Sequence, residues 1–119
     1  MLRPPPAPPV AERVMTAPDV RSVSTSLRSG GTATVVYSRE RGDGMVMFDS
    51  AAVPPPGMVY QVWLMKDGVP VPSGSAIRDP HTVMIANIGR ASALGLTVEP
   101  LGRAAGAAPG DMIGRVMLP

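Results

Sequence analysis

The chain has 119 residues and a formal net charge of +2, with one histidine and no cysteine. That length fits one domain around a single core, and the lack of cysteine excludes a disulfide framework and any thiolate metal site. Fifteen prolines and thirteen glycines argue for strands separated by turns rather than long helices.

Ten of the eleven cations are arginines, and they are scattered along the chain rather than gathered on one segment. A nucleic-acid binder concentrates its cations, so no nucleic-acid partner is expected. No run of about 18 apolar residues occurs, so no membrane span is expected within this sequence. "LRPPPAPPV" places prolines where a signal peptide would carry its apolar stretch.

Residues 2 to 9 hold five prolines, which favour polyproline II and a semi-rigid spacer. "VAERVM" (10–15) predicts one helical turn, stopped by Ala17-Pro18-Asp19. "VRSVSTSL" (20–27) and "TATVVYS" (32–38) read as strands, with Ala33, Val35 and Tyr37 sharing one face of the second. "RERGDG" (39–44) is a turn that joins this strand to "MVMFDS" (45–50) as a hairpin, with Val46 and Phe48 inward. "VPPPG" (53–57) is a rigid crossing loop.

"YQVWLMK" (60–66) places Tyr60, Val62 and Leu64 on one face, and Gln61, Trp63 and Met65 on the other. A strand that is apolar on both faces reads as central. The stretch after Asp67-Gly68 is broken by prolines and is not assigned a strand. "HTVMIANI" (81–88) and "ALGLTVEP" (93–100) return to strand character, the latter half-buried through Leu94, Leu96 and Val98. "MIGRVMLP" (112–119) is the last strand. Seven to eight short strands with Gly/Pro turns predict an all-β, antiparallel, immunoglobulin-like sandwich.

Catalytic residues are not expected. A hydrolase or transferase needs a nucleophile, a base and a group to orient the base, and His81 is the only imidazole. A single histidine after Pro80 reads as a surface residue and cannot start a zinc site, and no calcium loop appears. "SGGTA" and "GRAAGAAPG" lack the lysine and context of a phosphate loop. No cofactor and no metal is therefore expected. Arg41-Gly42-Asp43 matches an integrin tripeptide, but the hairpin turn itself accounts for its Gly and Asp, so no integrin role is expected. Trp63 has two readings: packing against a second layer, or an exposed anchor for a partner. Its neighbours Val59 and Met65 favour packing.

The ordered set "YQVWLMKDGVPVPSG" (60–74), "ALGLTVEP" (93–100) and a Gly/Ala/Pro segment before a short final strand resembles the C-terminal domain of the anti-sigma-K factor family. In that family a Tyr-Gln-x-Trp-Leu strand precedes a glycine turn, and an x-Thr-x-Glu-Pro strand precedes a glycine-rich loop. "VMTAPDVRSVS" and "GTATVVYSRE" look like its actinobacterial members, so the resemblance runs from about residue 11 to the end. It departs in the loop at 101–111, within "LGRAAGAAPGDMIG", where the family carries Gly-Gly-Ser and Pro-Thr-Gly; a fold tolerates such a change.

The resemblance implies a single-pass cell-membrane protein with this domain on the extracytoplasmic side. A cytoplasmic region, absent from this sequence, would hold an extracytoplasmic-function sigma factor. Membrane-associated proteases, the last acting inside the membrane, would release it. Residues 1–16 would be a Pro-rich juxtamembrane spacer and 17–119 the sandwich domain. The competing expectation is a binding module for a small ligand or a cell-envelope component; an enzyme comes third.

Overall fold

The computed structural model describes residues 9–102 and 108–119, apart from the side chain of Ser75. One short helix, α1 (Val10–Met15), precedes eight strands: β1 (Arg21–Ser26), β2 (Thr32–Ser38), β3 (Asp43–Asp49), β4 (Met58–Lys66), β5 (Val69–Ile77), β6 (Met84–Ala86), β7 (Ala93–Pro100) and β8 (Gly114–Met117). They form two four-stranded antiparallel sheets, ordered β1-β2-β3-β6 and β5-β4-β7-β8. This is the expected all-β sandwich. The prolines at 4–8 and loop residues 103–107 lie outside the described residues.

Period-two patterning explains which faces meet. Ala33, Val35, Tyr37 and Val46 of the first sheet pack against Tyr60, Val62, Leu64, Leu94 and Leu96 of the second, with Phe48 at the margin. The Phe48 and Tyr60 rings stack with centroids 4.8 Å apart. Both tyrosines bring a hydroxyl into the core and satisfy it at the rim: Tyr37 donates to the Pro119 carbonyl at 2.9 Å, and Tyr60 to the Ala52 carbonyl. The β1–β2 turn depends on Gly31, at φ +79°, where a side chain would strike the Asp49 and Ser50 backbone.

The stretch broken by prolines is a strand after all. β5 is an edge strand, and Pro70 and Pro72 oppose Met65 and Trp63 of β4. In an antiparallel pair, alternate residues turn their N–H groups away from the partner strand, so prolines two apart cost the ladder nothing and block the free edge. Farther along, β5 bulges between its pairings with Val62 and Tyr60, and Gly74 comes so close to β6 that a Cβ would overlap the Ile85 carbonyl oxygen.

Three other expectations differ, the first being the last strand, expected over 112–119 and found only at Gly114–Met117. The strand expected over 81–88 is only Met84–Ala86. β7 is not half-buried. Ala93, Gly95, Thr97 and Glu99 on its outer face are as buried as the leucines on its inner face.

Candidate functional site

The unexpected burial on β7 is caused by the segment that follows it. Gly110 donates its N–H to Glu99 Oε2 at 2.8 Å, and Ile113 donates to the Leu96 carbonyl at 2.8 Å. The side chain of Met112 lies over Gly95, where an added Cβ would be 2.5 Å from its Sδ. Arg28 at the β1–β2 turn holds the segment from the other sheet. Its backbone N–H reaches the Ile113 carbonyl at 2.8 Å and its guanidinium the Met112 carbonyl at 3.2 Å. Gly110 and Met112 thus cap the two ends of the outer row from Gly95 to Glu99, while Ile113 turns its side chain into the core between the sheets.

Trp63 belongs to this outer face rather than to the core between the sheets. It pairs with Gly95 across β4–β7 and donates its indole N–H to Thr97 Oγ1 at 2.8 Å. It is 4% exposed. The packing expectation holds for burial, but on the outer face, beside the Gly95 that Met112 covers, and not against the opposite sheet. Sequence reasoning missed Gly95 and Met112. The available signal was a glycine at the centre of a strong strand, which marks a close approach of another group.

A second covered face lies on the first sheet. α1 packs Val14, fully buried, with Val10 and Ala11 against Val36, Met45 and Met47. Arg13 reaches Asp43 at 2.5 Å across the hairpin turn. Asp43 is therefore engaged within the fold, which is not the free carboxylate that an integrin tripeptide presents. Past the helix, Asp19 accepts from Ser38 Oγ at 2.6 Å and from the Glu40 N–H at 2.9 Å. These hydrogen bonds, Ser38 first and the Glu40 amide next, hold its carboxyl below the ordinary value. The segment after the helix is thereby tied to the same turn.

His81 is 93% exposed in its side chain and bonds Asp79 in a local turn. No group of three or more His, Cys, Asp or Glu able to hold a metal occurs among the described residues. A cleft of about 390 Å³ opens between β5 and β6, lined by Ser73, Ile77, Thr82, Met84, Ile85 and Asn87 among others. Its polar groups do not converge on a point: the Asn87 N–H is directed at Ser73 Oγ, 3.4 Å away. No helix among the described residues is long and apolar enough to cross a membrane.

Comparison with known proteins identifies relatives over most of the chain. Residues 1–112 match the family described as anti-sigma-K factor rskA, C-terminal. The anti-sigma-K factor RskA of Mycobacterium sp. (strain KMS) is 44% identical over 105 residues, covering 85% of this chain and 43% of that protein. The protein of the same name from Mycobacterium tuberculosis (strain H37Rv) is 44% identical, over 84% of this chain and 45% of its own length. That of Mycolicibacterium vanbaalenii is 42% identical, over 85% and 44%. No solved structure matches the chain significantly. The chain spans less than half the length of these relatives. By its match over residues 1–112, the chain belongs to the family of C-terminal domains of the anti-sigma-K factor RskA.

Proposed function

We propose that this chain is the extracytoplasmic regulatory domain of a membrane-anchored anti-sigma factor, and that it controls the proteolysis that frees the sigma factor. On this reading residues 1–16 are the juxtamembrane segment and 17–119 the sandwich that guards it. A sigma factor bound by a cytoplasmic region and membrane-associated proteases are the partners. Family membership supports the anti-sigma role, and the docked helix α1 supports the guarding role.

Proteases cut backbone that is exposed and locally unfolded. A six-residue helix cannot hold itself in water, so α1 is ordered only while Val14 stays buried on Val36 and Met45. Loosening the first sheet would therefore release the stretch from Val10 to Ala17, where the prolines thin out.

Limited proteolysis with mass spectrometry tests this, on the wild type and on Val14→Asp, which puts a charge in the buried site. Protection of residues 10–17 in the wild type and cuts there in the variant are expected. Cuts confined to the hairpin loops in both proteins would defeat the proposal. Placement is tested separately by fusing alkaline phosphatase after Pro119 in the full-length parent: activity is expected, and an inactive fusion overturns the extracytoplasmic location. The alternative, a small-ligand or cell-envelope module, would have to use the cleft between β5 and β6, whose polar groups do not converge. A thermal stabilisation of this domain by soluble envelope fragments, abolished by Ile85→Asp, would favour it over the guard.

A further inference from the structure

The outer face of the second sheet carries a cluster of methionines around the only tryptophan. Across β4, β7 and β8, Met65, Ala93 and Met117 form one row, and Trp63, Gly95 and Arg115 the next. Met112 lies on Gly95 in the middle of this arrangement, where an added Cβ would be 2.5 Å from its Sδ and 2.8 Å from its Cε. Its thioether fills the hollow left by the missing side chain. The flanking main chain is tied down at Gly110 and Ile113, so Met112 is the side chain that closes the middle of the span. Met112 is half-buried, within reach of a small solute.

We infer that Met112 is an oxidation-responsive site whose reactant is a hydroperoxide. A lone pair on Sδ attacks one peroxide oxygen and the O–O bond breaks. The oxygen atom stays on sulfur, and the remaining fragment takes up the proton and leaves as an alcohol, or as water from hydrogen peroxide. Sulfur loses two electrons and the peroxide gains them. The product is a sulfoxide, which is polar and larger than the thioether.

The hollow cannot keep that product. Gly95 directs both its N–H and its C=O in the plane of the sheet toward Trp63 of β4, since the even-numbered neighbours such as Leu96 face β8, so neither group is available to a sulfoxide oxygen in the hollow above. In the hollow the sulfoxide oxygen would face no main-chain donor, whereas water is at hand just outside it, so the oxidised side chain swings out. Leaving the hollow uncovers Gly95 and the edge of Trp63 beside it. Met15 and Met117 are 58% and 60% exposed and also open to oxidation, but they plug nothing. With no cysteine in the chain, thioethers are its only sulfur able to sense an oxidant. The response belongs to the outer face of the second sheet and stands apart from the docked helix, so the two proposals fail independently.

Hydrogen peroxide treatment of the folded chain, with peptide mass spectrometry and Trp63 emission as readouts, tests it. Sulfoxide at Met112 should appear together with a red shift of emission, and methionine sulfoxide reductase should reverse both. Met112→Leu should keep the untreated spectrum and lose the red shift, while Met15 and Met117 still oxidise. Gly95→Ala provides an arm without oxidant. The three atoms nearest its new Cβ all belong to the flexible Met112 side chain, so the variant should fold and show the red shift unprovoked. Three results would overturn the inference: Met112 oxidised with no spectral change, Met112 intact when Met15 and Met117 are fully oxidised, or a red shift in Met112→Leu equal to the wild type's.

Discussion

Trp63 and Thr97 are joined by a buried hydrogen bond, indole N–H to hydroxyl oxygen at 2.8 Å, on the face of the second sheet that points away from the sandwich core. Removing either partner has a different expected cost. Trp63→Ala empties a large buried site on this outer face and should destabilise by about 3–5 kcal/mol. Thr97→Val keeps the volume but strands the indole donor, for about 1–3 kcal/mol. Urea denaturation of both variants checks the order; an unaffected Trp63→Ala would mean the face is not packed.

Two adjacent glycines in the β1–β2 turn should respond differently to alanine. Gly30 has φ +102° but open space around it, so Gly30→Ala should cost about 1–2 kcal/mol for the backbone conformation alone. Gly31 has φ +79°, and its Cβ would be 2.6 Å from both the Asp49 carbonyl oxygen and the Ser50 backbone. Backbone cannot swing aside, so Gly31→Ala should cost clearly more, about 3 kcal/mol or above, as strain adds to overlap. Thermal melts of the pair read the difference directly.

The strands were legible because their signal is local. Ala33 and Val35 alternate with Thr32 and Thr34, and Gly/Asp turns bound the runs, so β2 falls where the pattern places it and β3 and β4 within two residues of it. β5 was not legible, because Pro70 and Pro72 count against a strand unless it lies at an edge, and edge position is a property of the assembled sheet. The burial of Thr97 and Glu99 was hidden for a similar reason. Their polar side chains suggest solvent, and their partners, Trp63 for Thr97 and the returning Gly110 for Glu99, come from elsewhere in the chain. The helical turn at 10–15 was visible from sequence, but its docking was not, since six residues carry too short a period to reveal a face.

Acid should loosen the turn that carries Asp19. Its carboxyl titrates below the ordinary value of 3.8, first because Ser38 Oγ donates to it and then because the Glu40 N–H does. A carboxyl depressed in the folded state binds its proton more readily when unfolded, so its contribution is fully present above the unfolded value and fades as pH falls through the folded one. Stability of the wild type should therefore decline below about pH 4 in part through this group, while Asp19→Asn should show a shallower acid limb. Asp79 is depressed as well, by the His81 amide and then its ring, so the variant's acid limb should flatten only in part. Parallel limbs for wild type and Asp19→Asn in pH-dependent melts would contradict the assignment.

Helix α1 should be held by one methyl-bearing side chain rather than by its ion pair. Val14 is fully buried against Val36 and Met45, so Val14→Ala removes well-packed apolar contact worth about 2 kcal/mol. Arg13 and Asp43 lie 2.5 Å apart, but their side chains are 39% and 17% exposed, so solvent screens the pair and Arg13→Ala should cost about 0–1 kcal/mol. A short helix has almost no stability of its own to absorb the loss. Amide exchange should therefore speed up across residues 10–17 in Val14→Ala while the β2 and β3 amides stay protected, and Arg13→Ala should leave both nearly unchanged. If Arg13→Ala instead frees the helix as fully as Val14→Ala does, the ion pair, not apolar burial, is what docks α1.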